Sequence, residues 1–248
     1  MIPEALLGVF VIFCRVGGCL LIAPGLSSQR VTSRARLFIA VTVTLAVAPL
    51  LLPQFGTGLR DAGPADILGW IGCETLTGLA IGFFGRSFYF ALETMATGVA
   101  TMIGLGGIPG NPVAESEAAS LAGSLIMMAA TVLVFSMDLH WELFRGLIAS
   151  YERIPAGTPF GARPMLAGFA DRLSATFTMA LRITSPFIIY SVLVNFALGL
   201  ANKLTPQIPV FFIATPFILF GGLILLLVLS GDMLGQFMLE YAHWLRRG

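Results

Sequence analysis

A chain of 248 residues that is 57% hydrophobic and only 11% charged, with a mean hydropathy of +0.91, cannot clothe a soluble domain of its own size; soluble domains carry roughly 25% charged residues. The net charge of +1 sets up no field that would draw nucleic acid. The expected fold class is an all-α polytopic membrane protein, a single domain over 1–248 with roughly six or seven apolar helices. The three cysteines, Cys14, Cys19 and Cys73, lie in apolar stretches without a CxxC pair and read as buried small hydrophobes. A cleaved leader is not expected, because the first apolar run follows Glu4 rather than a basic stretch and Arg15 interrupts it.

A membrane-crossing helix needs about 20 apolar residues. Seven candidates follow in chain order: 4–23, 37–53, 65–84, 86–106, 120–139, 175–200 and 207–230. Pro49 and Pro53 close the second. Little polar sequence separates the third from the fourth, so 65–106 reads either as one long helix or as a tight hairpin. Gly78 and Gly82 form a small-xxx-small pair suited to close helix packing. Residues 140–174 form the one long polar connection.

Sorting the basic residues by loop favours the hairpin. With seven spans, Arg30, Arg34, Arg36, Arg86, the arginines of 140–174, and Arg246 and Arg247 fall on one side. The bias of basic residues toward the cytoplasm then places the N-terminus outside and the C-terminus in the cytoplasm.

Charges inside apolar segments cost about 2.5–3.5 kcal/mol each near the centre of a membrane. Arg15, Glu74, Glu93 and Arg182 stand in such places, with Asp138 and His140 at the end of the fifth segment. They read either as an ion pathway or as groups paired within an assembly. Arg86 with Glu93, and Asp138 with Arg145, are seven apart and share a helix face. Catalytic signatures are scarce. His140-Trp-Glu142 lacks the second histidine of HExxH, and no GxSxG, Walker A or GxGxxG occurs. No enzyme activity, metal or cofactor is expected.

Residues 103–120, IGLGGIPGNPVAESEAAS, join two apolar helices through Gly104, Gly106, Gly107, Pro109, Gly110, Asn111 and Pro112. Glycines there allow backbone turns closed to other residues. The segment reads as an ordinary connection or as a mobile gate.

Several stretches resemble the flagellar biosynthetic protein FliR family, which includes the injectisome SctT proteins. They are RVGGCLLIAP (15–24), VTSRAR (31–36), the run from Asp138 through Ser150 to Ile154-Pro155, NFALG (195–199), and TPQIPVFF (205–212) followed by Pro216. The order and spacing fit along nearly the whole chain. The sequence departs from the pattern at Pro209, where many members carry Asn, and at Asn111-Pro112, where many carry Asp-Pro.

The resemblance implies helical hairpins packed in a pore-forming hetero-oligomer of the bacterial inner membrane, at the flagellar basal body. FliP-like and FliQ-like subunits would share the pore, with FlhB-like and FlhA-like partners on the cytoplasmic side. The cargo would be unfolded flagellar proteins. It further implies that 103–120 plugs the closed pore, and that Pro206, Gln207, Pro209 and Pro216 break helices where subunits pack. Two other readings of the same residues stand beside it. One is a proton-coupled small-solute transporter using Glu74 and Glu93. The other is an intramembrane enzyme built on Asp138, His140 and Glu142.

Overall fold

The computed structural model describes residues 2–25, 27, 31–55, 63–105, 112–158, 161–207 and 209–247, with backbone alone at 2–4, 54–55, 112–120, 162–166 and 247. Every regular element among them is helical. In chain order these are α1 (Ile2–Ile22), α2 (Ser33–Leu51), a 3-10 turn (Leu52–Phe55), α3 (Pro64–Ala100) running into a π-helical turn (Thr101–Leu105), α4 (Pro112–Ser136), α5 (Leu139–Arg153), α6 (Ala162–Leu204) and α7 (Val210–Arg247). Five segments are long and apolar enough to cross a membrane: Ala5–Ile22, Ser33–Leu51, Pro64–Leu105, Ala167–Leu204 and Val210–Arg246. The all-α polytopic class is thus what the chain adopts. The pair α4 and α5, broken at Asp138, would make a sixth span if counted together.

Helix starts are specified locally. Thr32 caps α2 by accepting the Ala35 N–H at 3.3 Å. Pro64 opens α3, where a missing N–H costs nothing, and Asp66 reaches back to the Gly63 N–H at 3.0 Å.

The hairpin expected near Arg86 does not form. α3 is one helix of 37 residues, because nothing between Gly82 and Ser87 obliges the chain to turn. Arg86 stays in the helix and donates to Ser27 Oγ at 2.7 Å. The loop sorting behind the N-outside orientation needed that turn, and without it the sorting assigns no side to either terminus. The polar connection expected at 140–174 is likewise mostly helix. Leu139, Leu143, Leu147 and Tyr151 recur at helical spacing and bury one face of α5.

The chain divides into two compact units. The first comprises residues 1–88, 138–173 and 242–248. Its interior is built on Val11, Ile12, Val16, Leu20 and the buried face of α5. Here α1 lies against α3 at glycines. A Cβ on Gly78 would strike the Arg15 carbonyl oxygen, and one on Gly18 would come within 2.9 Å of the Thr75 carbonyl. The second comprises 89–137 and 174–241. Val99, Ile103 and Phe187 form its centre, with Leu225, Leu226 and Leu229 packed on them. Gly222 lets Ile103 approach the α7 backbone. Tyr190 donates to the Ile218 carbonyl at 2.6 Å.

Candidate functional site

The first unit holds a charged group where no water reaches. Arg15 is fully buried, and Glu74 is 1% exposed. The guanidinium meets the carboxylate side-on: Nε donates to Oε2 at 2.6 Å and Nη2 to Oε1 at 2.8 Å. Two parallel charge-assisted bonds are the strongest form of this pairing, and the planar arginine fork is suited to it. Two further donors are used at the end of α5. Nη2 also donates to the Ile154 carbonyl at 3.0 Å, and Nη1 to Ser150 Oγ at 3.2 Å. The Tyr151 ring lies 3.9 Å from the guanidinium carbon, a cation–π contact.

Glu74 is held from a second side as well. The Gly157 N–H donates to Oε1 at 3.3 Å. Gly157 is the third residue of a turn closed by the Thr158 N–H on the Pro155 carbonyl at 3.2 Å. Its φ of 81° favours glycine there, and a Cβ would lie 2.8 Å from the Trp70 ring. The ion pair therefore ties together α1, α3 and the chain leaving α5. With both charges neutralised and their polar atoms bonded, the arrangement can pin three segments. It presents no activated nucleophile.

The other charges singled out in the sequence are placed differently. Glu74 takes as its partner Arg15, a residue 59 positions away on α1. Asp138 is exposed, has the left-handed φ of 57°, and lies 4.0 Å from His140 Nε2. The expected Asp138–Arg145 pair gives way to Arg145 with Glu142 at 3.5 Å, and Glu142 also meets Arg246 at 3.5 Å. Glu93 and Arg182 are both exposed in the second unit. Glu74 and Glu93 thus occupy different units, one paired and one outward.

Pro206, Gln207 and Pro209 are exposed in the turn joining α6 to α7, and Pro216 lies within α7. Of the glycine-rich segment, residues 106–111 lie outside the described residues, Gly106, Gly107, Pro109, Gly110 and Asn111 among them, whereas 112–120, expected as connection, are the first turns of α4. Gly104 is described. It breaks the helical geometry inside the π-helical turn with a φ of 91°, and Pro112 opens α4. The α3 helix is thus ended by a backbone conformation that glycine favours. Sequence reasoning missed Ser150, Tyr151 and Gly157 as partners of the buried pair. Pro155 followed by Gly157 was the available turn signal.

These features define a polytopic helical membrane protein with a buried, hydrogen-bonded ion pair. The description of bacterial export proteins, family 1, matches residues 6–243. The flagellar biosynthetic protein FliR of Caulobacter vibrioides is 30% identical over 222 residues, covering 89% of this chain and 87% of that protein. FliR of Escherichia coli is 27% identical, covering 84% and 78%. The Yop proteins translocation protein T of Yersinia pestis is also 27% identical, covering 87% and 83%. The chain belongs to bacterial export protein family 1, the FliR/SctT family.

Proposed function

We propose that this chain is an inner-membrane subunit of a type III protein export gate that forms, with FliP-like and FliQ-like subunits, a gated pore for unfolded flagellar proteins. The observation that carries this reading is the family match along residues 6–243, with relatives named for flagellar biosynthesis and for Yop translocation. FlhB-like and FlhA-like proteins are its cytoplasmic partners in this reading. Its role is steric, with no reaction to catalyse.

Two features of the fold support it. Glu93 and Arg182 project outward from long apolar helices. Such groups are expensive against lipid tails and suit a protein interface or a wet lumen. The break at Gly104 supports assigning the following glycine-rich segment to the pore plug, since π-helical turns frequently mark functional places.

Co-purification with FliP-like and FliQ-like subunits tests the assembly. A monodisperse chain that captures neither overturns it. Deleting 106–117 tests the plug. Ion leak through the assembled gate should rise, and unchanged leak with unchanged export rejects that assignment. An injectisome role is the second reading, favoured by the Yersinia relative. Loss of swimming in a deletion strain selects the flagellar one.

A further inference from the structure

The first unit contains a cavity of about 540 Å³ beside the end of α5, within the roughly 300–1,000 Å³ typical of small-molecule sites. Ile81, Phe84 and Leu143 supply apolar wall. Arg153, Arg172 and Arg246 also line it, and none of the described lining residues is acidic. The nearby carboxylate, Glu142, is already engaged by Arg145 and Arg246. The Arg172 guanidinium lies over two aromatic walls, 5.2 Å from the Phe84 ring and 5.9 Å from that of Trp244. Three arginines, one of them shared with Glu142, and an apolar wall line the same cavity, which makes it an amphipathic receptacle. Trp244 and Arg246 belong to the last turn of an apolar helix, a combination that favours the headgroup level of a bilayer. Arginine stems cover apolar surface while their heads stay polar.

We propose that this cavity seats one anionic phospholipid, with its phosphodiester on Arg153, Arg172 and Arg246 and an acyl chain along Ile81, Phe84 and Leu143. The occupant is chosen by charge complementarity. A zwitterionic lipid would bring a cation to a lining that already holds Arg153, Arg172 and Arg246, and a soluble anion would leave the apolar wall uncovered. The inference goes beyond the export reading, and failure to capture partner subunits would leave it standing.

The test uses the full-length chain in detergent, titrated with phosphatidylglycerol or phosphatidylcholine of identical acyl chains and read by native mass spectrometry. Phosphatidylglycerol should bind at least about tenfold more tightly, as expected for charge-assisted contacts. Replacing all three arginines by glutamine (R153Q, R172Q, R246Q) should erase that preference. Gly168→Trp should block binding without removing a charge, because Gly168 lines the cavity and a Cβ there meets nothing within 4 Å. Arg145→Gln, outside the lining, should leave the preference intact. If the triple variant unfolds, Gly168→Trp alone decides. Equal binding of the two lipids overturns the proposal. So does a preference that survives Gly168→Trp, or full displacement of the lipid by inorganic phosphate, which would mark a site for a free anion.

Discussion

Arg15 carries its charge at a position with no solvent exposure, and it is tolerated there only because Glu74, Ser150 and Ile154 use its donors. Removing one partner of a buried ion pair strands the other and costs about 3–5 kcal/mol, whereas replacing both with apolar groups of similar volume is often neutral. Arg15→Met or Glu74→Leu alone should therefore lower the thermal unfolding temperature of the detergent-solubilised chain sharply. The double variant should recover most of the loss. Equal destabilisation by single and double variants would show that the hydrogen bonds to α5 dominate over the charge pair. Pairing of this kind was only half legible in the sequence. The misplaced charges announced themselves against an apolar background, but helix periodicity pairs residues only three, four or seven apart. It therefore offered partners for Arg86 and Asp138 but named none for Arg15 or Glu74, whose pairing joins two helices.

At the scale of elements, α1 and α3 approach closely because Gly18 and Gly78 leave room for backbone to meet backbone. Gly78→Leu should force the helices apart and destabilise the chain by about 1–3 kcal/mol or more. Gly72→Ala is the control in the same helix. A Cβ there meets nothing within 4 Å, so the change should be neutral or stabilising by up to about 1 kcal/mol. Denaturation of both variants, side by side, checks the contrast. The Gly78–Gly82 signature was readable in advance. The continuity of α3 was not, because hydropathy divides a long apolar run by expected span length and does not register an uninterrupted hydrogen-bond ladder. The same habit hid α5, whose polar face made it look like a connection. The glycine-rich segment was legible as a break, and Gly104 bears out its beginning.

For the molecule as a whole, helix length and bilayer thickness do not match. At 1.5 Å per residue, α3, α6 and α7 measure about 55, 65 and 57 Å, against a hydrocarbon core of about 30 Å. Part of each must tilt, leave the lipid or be covered by protein. Replacing Glu93 and Arg182 together with leucine should raise the yield of the isolated chain and weaken its capture of partner subunits. Co-purification measures the second effect, and unimpaired capture would show that these charges face no partner. The buried pair also constrains how the protein is made. When α1 leaves the ribosome, the carboxylate that neutralises Arg15 lies 59 residues behind it, and the carbonyl of Ile154 lies 139 behind. At about 5–20 residues per second, α1 waits several seconds for its first partner. Entering lipid before α3, α1 would carry an uncompensated charge, a cost that joint entry of the two helices removes.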